Sequence, residues 1–161
     1  ALSLVEIPKN VKVMDLTESK PKMKIDVGKI KRSFLNLVKN AIEAMPRGGT
    51  LTVKSRKSDG NVEFTLSDTG VGMSKKTIEK LWTPLFTTKA KGMGFGLAIC
   101  KRFVEAHGGS ISVESEAGKG TAFTVIMPLE PKLEQDEDIW VNLPESLAKG
   151  KQGKEFQDET K

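Results

Sequence analysis

One cysteine and one histidine are all that the 161 residues contain of either type. Cys100 alone cannot form an internal disulfide, and with only His107 to add, the chain is too poor in soft ligands for a Cys/His zinc site. Any metal is expected to be held by oxygen. No apolar run approaches the ~20 residues that a membrane-spanning helix needs, and the opening ALSLVEIPKN lacks the charged-then-apolar layout of a signal peptide. A soluble, cytoplasmic domain is expected, processed or cut from a longer protein since it starts without Met; whether the parent is anchored in a membrane is left open. Two phosphate-binding signatures are also missing, the P-loop GxxxxGK[ST] and the dinucleotide fingerprint GxGxxG.

What is present is unevenly distributed. The net charge of +5 hints at nucleic acid, but residues 1–128 hold 21 Lys and Arg against 12 Asp and Glu, whereas residues 129–161 hold 5 against 9. This divides the chain into a basic body, 1–128, and an acidic tail or linker, 129–161. The body also holds 13 of the 15 glycines, several in tight clusters, so the first question is what those clusters bind.

Val11–Leu16 and Lys22–Asp26 alternate apolar with polar residues across an ESKP turn, which predicts a strand pair. Asp26 is placed to cap a long helix in which Ile30, Phe34, Leu37, Val38, Ala41 and Met45 share one face, ended by Pro46 and Gly48-Gly49. Thr50–Lys57 and Asn61–Ser67 flank Ser58-Asp59-Gly60, a hairpin signal. A short helix is predicted over Lys75–Leu81, then a long mobile loop. A second long helix runs from about Gly96 through Ala106, stopped by His107-Gly108-Gly109, and SISVES and TAFTVIMP supply two last strands. His107 reads best as a helix cap and Cys100 as a small buried residue. In the tail, Trp140 with Ile139, Val141 and Leu143 forms one apolar island, a candidate docking segment.

Three features carry chemistry. Asn36, Asn40 and Glu43 share one face of the first helix, turned away from its apolar stripe. A solvated surface explains Glu43 and Lys39, but two Asn one turn apart in a helix interior are poor helix formers, and carboxamide oxygens can ligate a hard cation beside phosphates. Asp68-Thr69-Gly70-Val71-Gly72 follows a strand: a carboxylate there can accept from an exocyclic amine while the glycines admit a flat ring, or the segment is simply a tight turn. Gly92-Met93-Gly94-Phe95-Gly96 opens the second long helix, whose free N–H groups suit phosphate, with Thr87, Thr88, Lys89 and Lys91 just before it.

In order and spacing, NLVKNAIEAM (36–45), DTGVGM (68–73), LWTPLFTTK (81–89), GMGFGLAI (92–99) and GKGT (118–121) resemble the N, G1, F and G2 boxes and final Gly-Thr turn of the sensor histidine kinase ATP-binding domain. This domain belongs to the GHKL superfamily, with gyrase, MutL and the heat-shock chaperone ATPases. The resemblance covers about residues 10–128. It implies an α/β fold, the two-layer α/β sandwich of Bergerat type, with a mixed sheet of about five strands on about three helices and a mobile ATP lid between Ser74 and Met93.

The resemblance further implies ATP and Mg²⁺ as ligands, with Asn40 on the metal and Asn36 beside it in the catalytic N box along with Lys39 and Glu43. Asp68 matches the aspartate that takes the adenine amine, Gly70, Gly72 and Met73 surround the ring, and Thr121 joins through water. Gly92, Gly94, Phe95, Gly96 and Leu97 match the phosphate-binding box, with Thr87, Thr88, Lys89 and Lys91 in the lid.

Asn36 stands where hydrolytic members carry a glutamate, and an amide cannot act as a general base, which favours phosphoryl transfer over hydrolysis. Glu43 stands where many members have Lys or Arg, and the lid reads WTPLFTTK rather than FEPFFTTK. The implied function is a histidine protein kinase domain that passes the γ-phosphoryl of Mg·ATP to a histidine on a dimerisation domain, expected upstream in the full-length protein, for relay to a response-regulator receiver domain. A monomer is expected for the isolated domain, a homodimer for the full kinase, and no nucleic-acid partner. The rivals are a GHKL ATPase that uses lid closure as a switch and a degenerate docking module independent of nucleotide.

Overall fold

The computed structural model describes residues 2–18, 22–88 and 93–130. Five strands, β1 (Val11–Thr17), β2 (Gly49–Ser58), β3 (Asn61–Asp68), β4 (Ser110–Glu116) and β5 (Gly120–Pro128), form one sheet in the order β1-β2-β3-β5-β4. β1 and β2 are parallel and every other pair is antiparallel. The parallel pair requires a crossover, and helix α1 (Val27–Glu43) supplies it. Two further helices, α2 (Lys75–Lys80) and α3 (Gly96–Glu105), complete the second layer.

Each element follows from local chemistry. Asp26 caps α1, its Oδ1 accepting from the Lys29 N–H at 3.0 Å, and Ile30, Leu37, Val38 and Ala41 form the buried stripe that the period predicts. The β2–β3 hairpin turns through Asp59 and Gly60, both at positive φ (47° and 76°), as a type I′ turn demands. The strands alternate: Leu51 and Val53 in β2, Val62 and Leu66 in β3, and Phe123, Val125 and Met127 in β5 are buried. The opposite sheet face is carried by Thr52, Lys54, Thr65, Thr124 and Ser112, with Arg56 paired to Glu63 at 3.6 Å. That face is mostly polar, with Met14, Leu16 and Ile126 as its exposed apolar members, and the domain stops at two layers.

The expected strand at Lys22–Asp26 is not formed. Met23 and Ile25 do lie on one side and pack on the core, but the segment has no ladder, because β1 pairs instead with β2. The alternation reflects packing of an extended approach to α1. The end of that approach is held elsewhere: the Asp26 N–H donates to His107 Nε2 at 2.9 Å, and His107 Nδ1 donates to the Phe103 carbonyl at 2.7 Å. An acceptor at Nε2 requires the proton on Nδ1, so this ring is neutral when both bonds are made. His107 does close the end of α3, as expected, and it also ties that end to the start of α1. Residues 19–21 of the expected turn and the whole of 131–161, Trp140 included, lie outside the described residues.

Ser55 breaks the apolar alternation of β2. It is 2% exposed, opposite Phe64, and its hydroxyl has no hydrogen-bond partner among the described residues. An orphaned hydroxyl costs the fold its desolvation. Ser55→Ala should therefore raise stability by about 1 kcal/mol in a urea melt, and a variant less stable than the parent would show that the hydroxyl is satisfied in solution.

Candidate functional site

A cleft of about 960 Å³ opens between α1, α3 and the loop joining α2 to α3, with the ends of β3 and β5 as its floor. This is the upper range of small-molecule sites, roughly 300–1,000 Å³. Asn36, Lys39, Asn40 and Glu43 line one wall, Phe95, Gly96 and Leu97 another, Thr87 and Thr88 the loop side, and Asp68, Gly72, Met73 and Thr121 the floor, with Gly94 at the rim. Gly70 sits behind the floor against the end of α1. Lys89, Lys91 and Gly92 lie outside the described residues.

The polar face of α1 is not simply solvated. Asn36 and Asn40 are half-buried whereas Lys39 and Glu43 are exposed, and Asn36 is turned toward α3. Its Nδ2 donates to Cys100 Sγ at 3.4 Å, and that thiol donates to the Ser33 carbonyl at 3.3 Å. Cys100 is 1% exposed, as expected of a small buried residue, and burial raises its thiol above the usual range. A Cβ on Gly96 would lie 2.6 Å from both Asn36 amide heteroatoms, so a glycine is what lets the start of α3 rest on Asn36. Phe95 stands at the N-cap of α3 and offers no side-chain cap. The helix's first N–H groups and positive dipole end are thus left to the cleft, where an anion would satisfy them.

The floor is built differently. Asp68 ends β3 directly opposite Thr121 of β5, and is only 8% exposed. Its Oδ1 accepts from the Gly70 N–H at 2.8 Å. Burial raises the carboxyl above the ordinary carboxylate range, opposed by the Gly70 and Thr121 backbone hydrogen bonds. Gly72, at φ 62°, passes the Glu116 carbonyl so closely that a Cβ there would overlap it. Ser115 holds this region together: its Oγ accepts from the Met73 N–H at 2.9 Å, donates to the Gly120 carbonyl at 2.8 Å and lies 2.9 Å from Thr121 Oγ1.

Sequence reasoning missed Ser115, although the alternation Ile111, Val113, Ser115 puts a serine where an inward apolar residue belongs. It also missed Arg32, which lines the cleft one helical turn before Asn36 on the same face. Among the described residues, no group of three or more His, Cys, Asp and Glu is arranged to hold a metal. Asn40 and Glu43 are oxygen donors on the wall, a set that suits a hard cation completed by phosphate and water. No helix among the described residues is long and apolar enough to cross a membrane.

The cleft thus joins a buried carboxylate at its floor to an uncapped helix start and two asparagines on its walls. Residues 25–131 match the histidine kinase-, DNA gyrase B- and HSP90-like ATPase family, and the chain belongs to that family. Sporulation kinase C of Bacillus subtilis (strain 168) is 41% identical over 105 residues, 65% of this chain and 24% of that protein. Among solved structures, the catalytic domain of the histidine kinase ThkA superposes with a TM-score of 0.69 at 31% identity, over 78% of this chain and 83% of that one. Full-length ShkA in complex with AMPPNP superposes with a TM-score of 0.67 at 26% identity, over 78% of this chain and 27% of that one. The fold is therefore the α/β sandwich of histidine kinase catalytic domains. The chain spans about a quarter of the length of sporulation kinase C.

The raised Asp68 carboxyl sets a pH dependence. The fold holds this proton more tightly than the unfolded chain does, so the contribution to stability is full in acid and is lost as pH rises through the raised pKa. Asp68→Asn should gain in melting temperature relative to the parent as pH is raised from about 4 to about 7. A difference that stays constant with pH, or shrinks as pH rises, would contradict the burial cost.

Proposed function

We propose that the cleft binds Mg·ATP and that the domain is the catalytic part of a histidine kinase, which delivers the γ-phosphoryl to an imidazole on a dimerisation domain, for relay to a receiver aspartate. The observation that carries this is the opposed chemistry of the two ends: the buried carboxyl of Asp68 beside Thr121 at the floor, and the uncapped start of α3 beside Asn36 and Asn40 at the far wall. Adenine fits the first and a triphosphate the second. ShkA, of the same fold, is in complex with the ATP analogue AMPPNP, and the kinase relatives support transfer as the chemistry.

Catalysis would be positioning and charge neutralisation. Asn40 would hold Mg²⁺, which would draw together the phosphate oxygens and offset their charge. The N–H groups at Gly96 and Leu97, with Thr87 and Thr88, would hold the polyphosphate, and Lys39, Lys89 and Lys91 would add positive charge. Asn36 offers no base to a water molecule and is already engaged with Cys100, which argues against a hydrolase driven by this domain alone. The domain is proposed to work in the cytoplasm, as a monomer in isolation and within a homodimer in its parent.

Incubation with γ-labelled ATP, Mg²⁺ and the parent's dimerisation domain is expected to label a histidine. Asn40→Ala should lower the rate by on the order of 100-fold. Unlabelled histidine together with brisk steady-state ATP hydrolysis would establish the ATPase instead, and the absence of any Mg²⁺-dependent nucleotide binding would establish a docking module.

A further inference from the structure

The floor of the cleft carries a proton inventory that can be closed. A serine hydroxyl has one proton and two lone pairs. Ser115 spends its proton on the Gly120 carbonyl, 2.8 Å away, and accepts the Met73 N–H at 2.9 Å. One lone pair remains, and Thr121 Oγ1 lies 2.9 Å from it. With the serine proton committed, this contact is a hydrogen bond only if Thr121 is its donor. Thr121 has a single hydroxyl proton, and it therefore points at Ser115, away from the cleft that Thr121 lines. What Thr121 shows the cleft is oxygen lone pairs.

Its neighbour is polarised the same way. Asp68, paired with Thr121 across β3 and β5, accepts the Gly70 N–H at 2.8 Å on its Oδ1, and when ionised has no proton to give. Two adjoining groups at the floor thus accept and neither donates.

We infer that Ser115 is a positioning residue for base selection: by holding the Thr121 proton it keeps the floor acceptor-only, so that the site takes a purine with an amine at its inner edge and rejects one with a carbonyl there. Ser115 does not line the cleft and need not touch the ligand. Its effect passes through the direction of one O–H bond. A site whose polar groups oppose those of the ligand discriminates more strongly than one that merely changes in volume.

This inference rests on the nucleotide reading of the cleft, and its test separates the two. Binding of ATP and of inosine triphosphate, which carries a carbonyl in place of the 6-amine, would be measured by titration calorimetry for the parent, Ser115→Ala, Ser115→Thr and Thr121→Val. The parent should prefer ATP. In Ser115→Ala the Thr121 proton is free to turn to the cleft, and the ATP preference should narrow by about tenfold, the worth of one ordinary hydrogen bond. Ser115→Thr, which keeps a hydroxyl, should retain the parent preference, and Thr121→Val should weaken ATP without improving the inosine nucleotide.

Equal loss of both ligands in Ser115→Ala would mean that Ser115 only supports the fold, and would overturn the inference while leaving the nucleotide site intact. An unchanged preference in a folded Ser115→Ala would overturn it equally. Should Ser115→Ala not fold, improved inosine nucleotide binding in Thr121→Val would overturn it, since that variant has no proton to redirect. Binding of neither nucleotide by the parent would remove the nucleotide reading and this inference with it.

Discussion

The seam between α1 and α3 is the constraint on which the site depends. It is fastened at both ends by polar contacts that few side chains could replace. At the closed end His107 bridges the Phe103 carbonyl and the Asp26 N–H, joining the finish of one helix to the start of the other. At the open end Cys100 lies between the Ser33 carbonyl and the Asn36 amide, and Gly96 lets the α3 backbone settle against Asn36. The start of α3 is thus placed by core packing and not by the loop that precedes it. A phosphate subsite at that helix start would exist before any ligand arrives, which lowers the ordering cost of binding.

The parts legible in the sequence are those governed by local chemistry. Asp26 as a cap, the stripe from Ile30 to Met45, the Asp59-Gly60 turn and the glycine stop after α3 each depend on residues within a turn of one another. The strand misassigned at 22–26 shows the limit of periodicity. Alternating exposure arises equally from pairing in a sheet and from an extended segment laid on a core, and only the partner of β1 decides between them. Asn36 shows a second limit. Its helical position is readable, but its contact with Cys100, 64 residues away, depends on how two helices cross. The same holds for Ser115, whose three partners come from the β3–α2 connection and β5. Arg32 lies one helical turn before Asn36 on the same face, and so is within reach of the helical period.

The site is also where local rules are broken at a cost. Asp68 is a carboxylate withdrawn from water, and the bonds from Gly70 and Thr121 only partly offset its burial. Leu85, in the loop over the cleft, takes φ 68°, a conformation that costs a side-chain-bearing residue roughly 1–2 kcal/mol. Its backbone lies so near Gly94 that a Cβ at position 94 would overlap it. Strain at one residue is thus matched by the absence of a side chain at the next contact. Such departures are tolerated where the surrounding sheet and helices over-determine the geometry, as they do around the cleft.

Charge completes the polarity of the cleft. A sequence total of +5 gives no direction, but the described walls do. Arg32 and Lys39 lie along α1 toward the start of α3, while Asp68 lies beyond Glu43 at the floor. Cations and N–H dipoles therefore collect at one end, and a buried carboxylate with an acceptor hydroxyl at the other. A ligand with an anionic tail and an amine-bearing ring can lie in only one sense along such a cleft, because reversal sets anion against carboxylate and amine against helix dipole. Orientation is enforced by repulsion as much as by attraction.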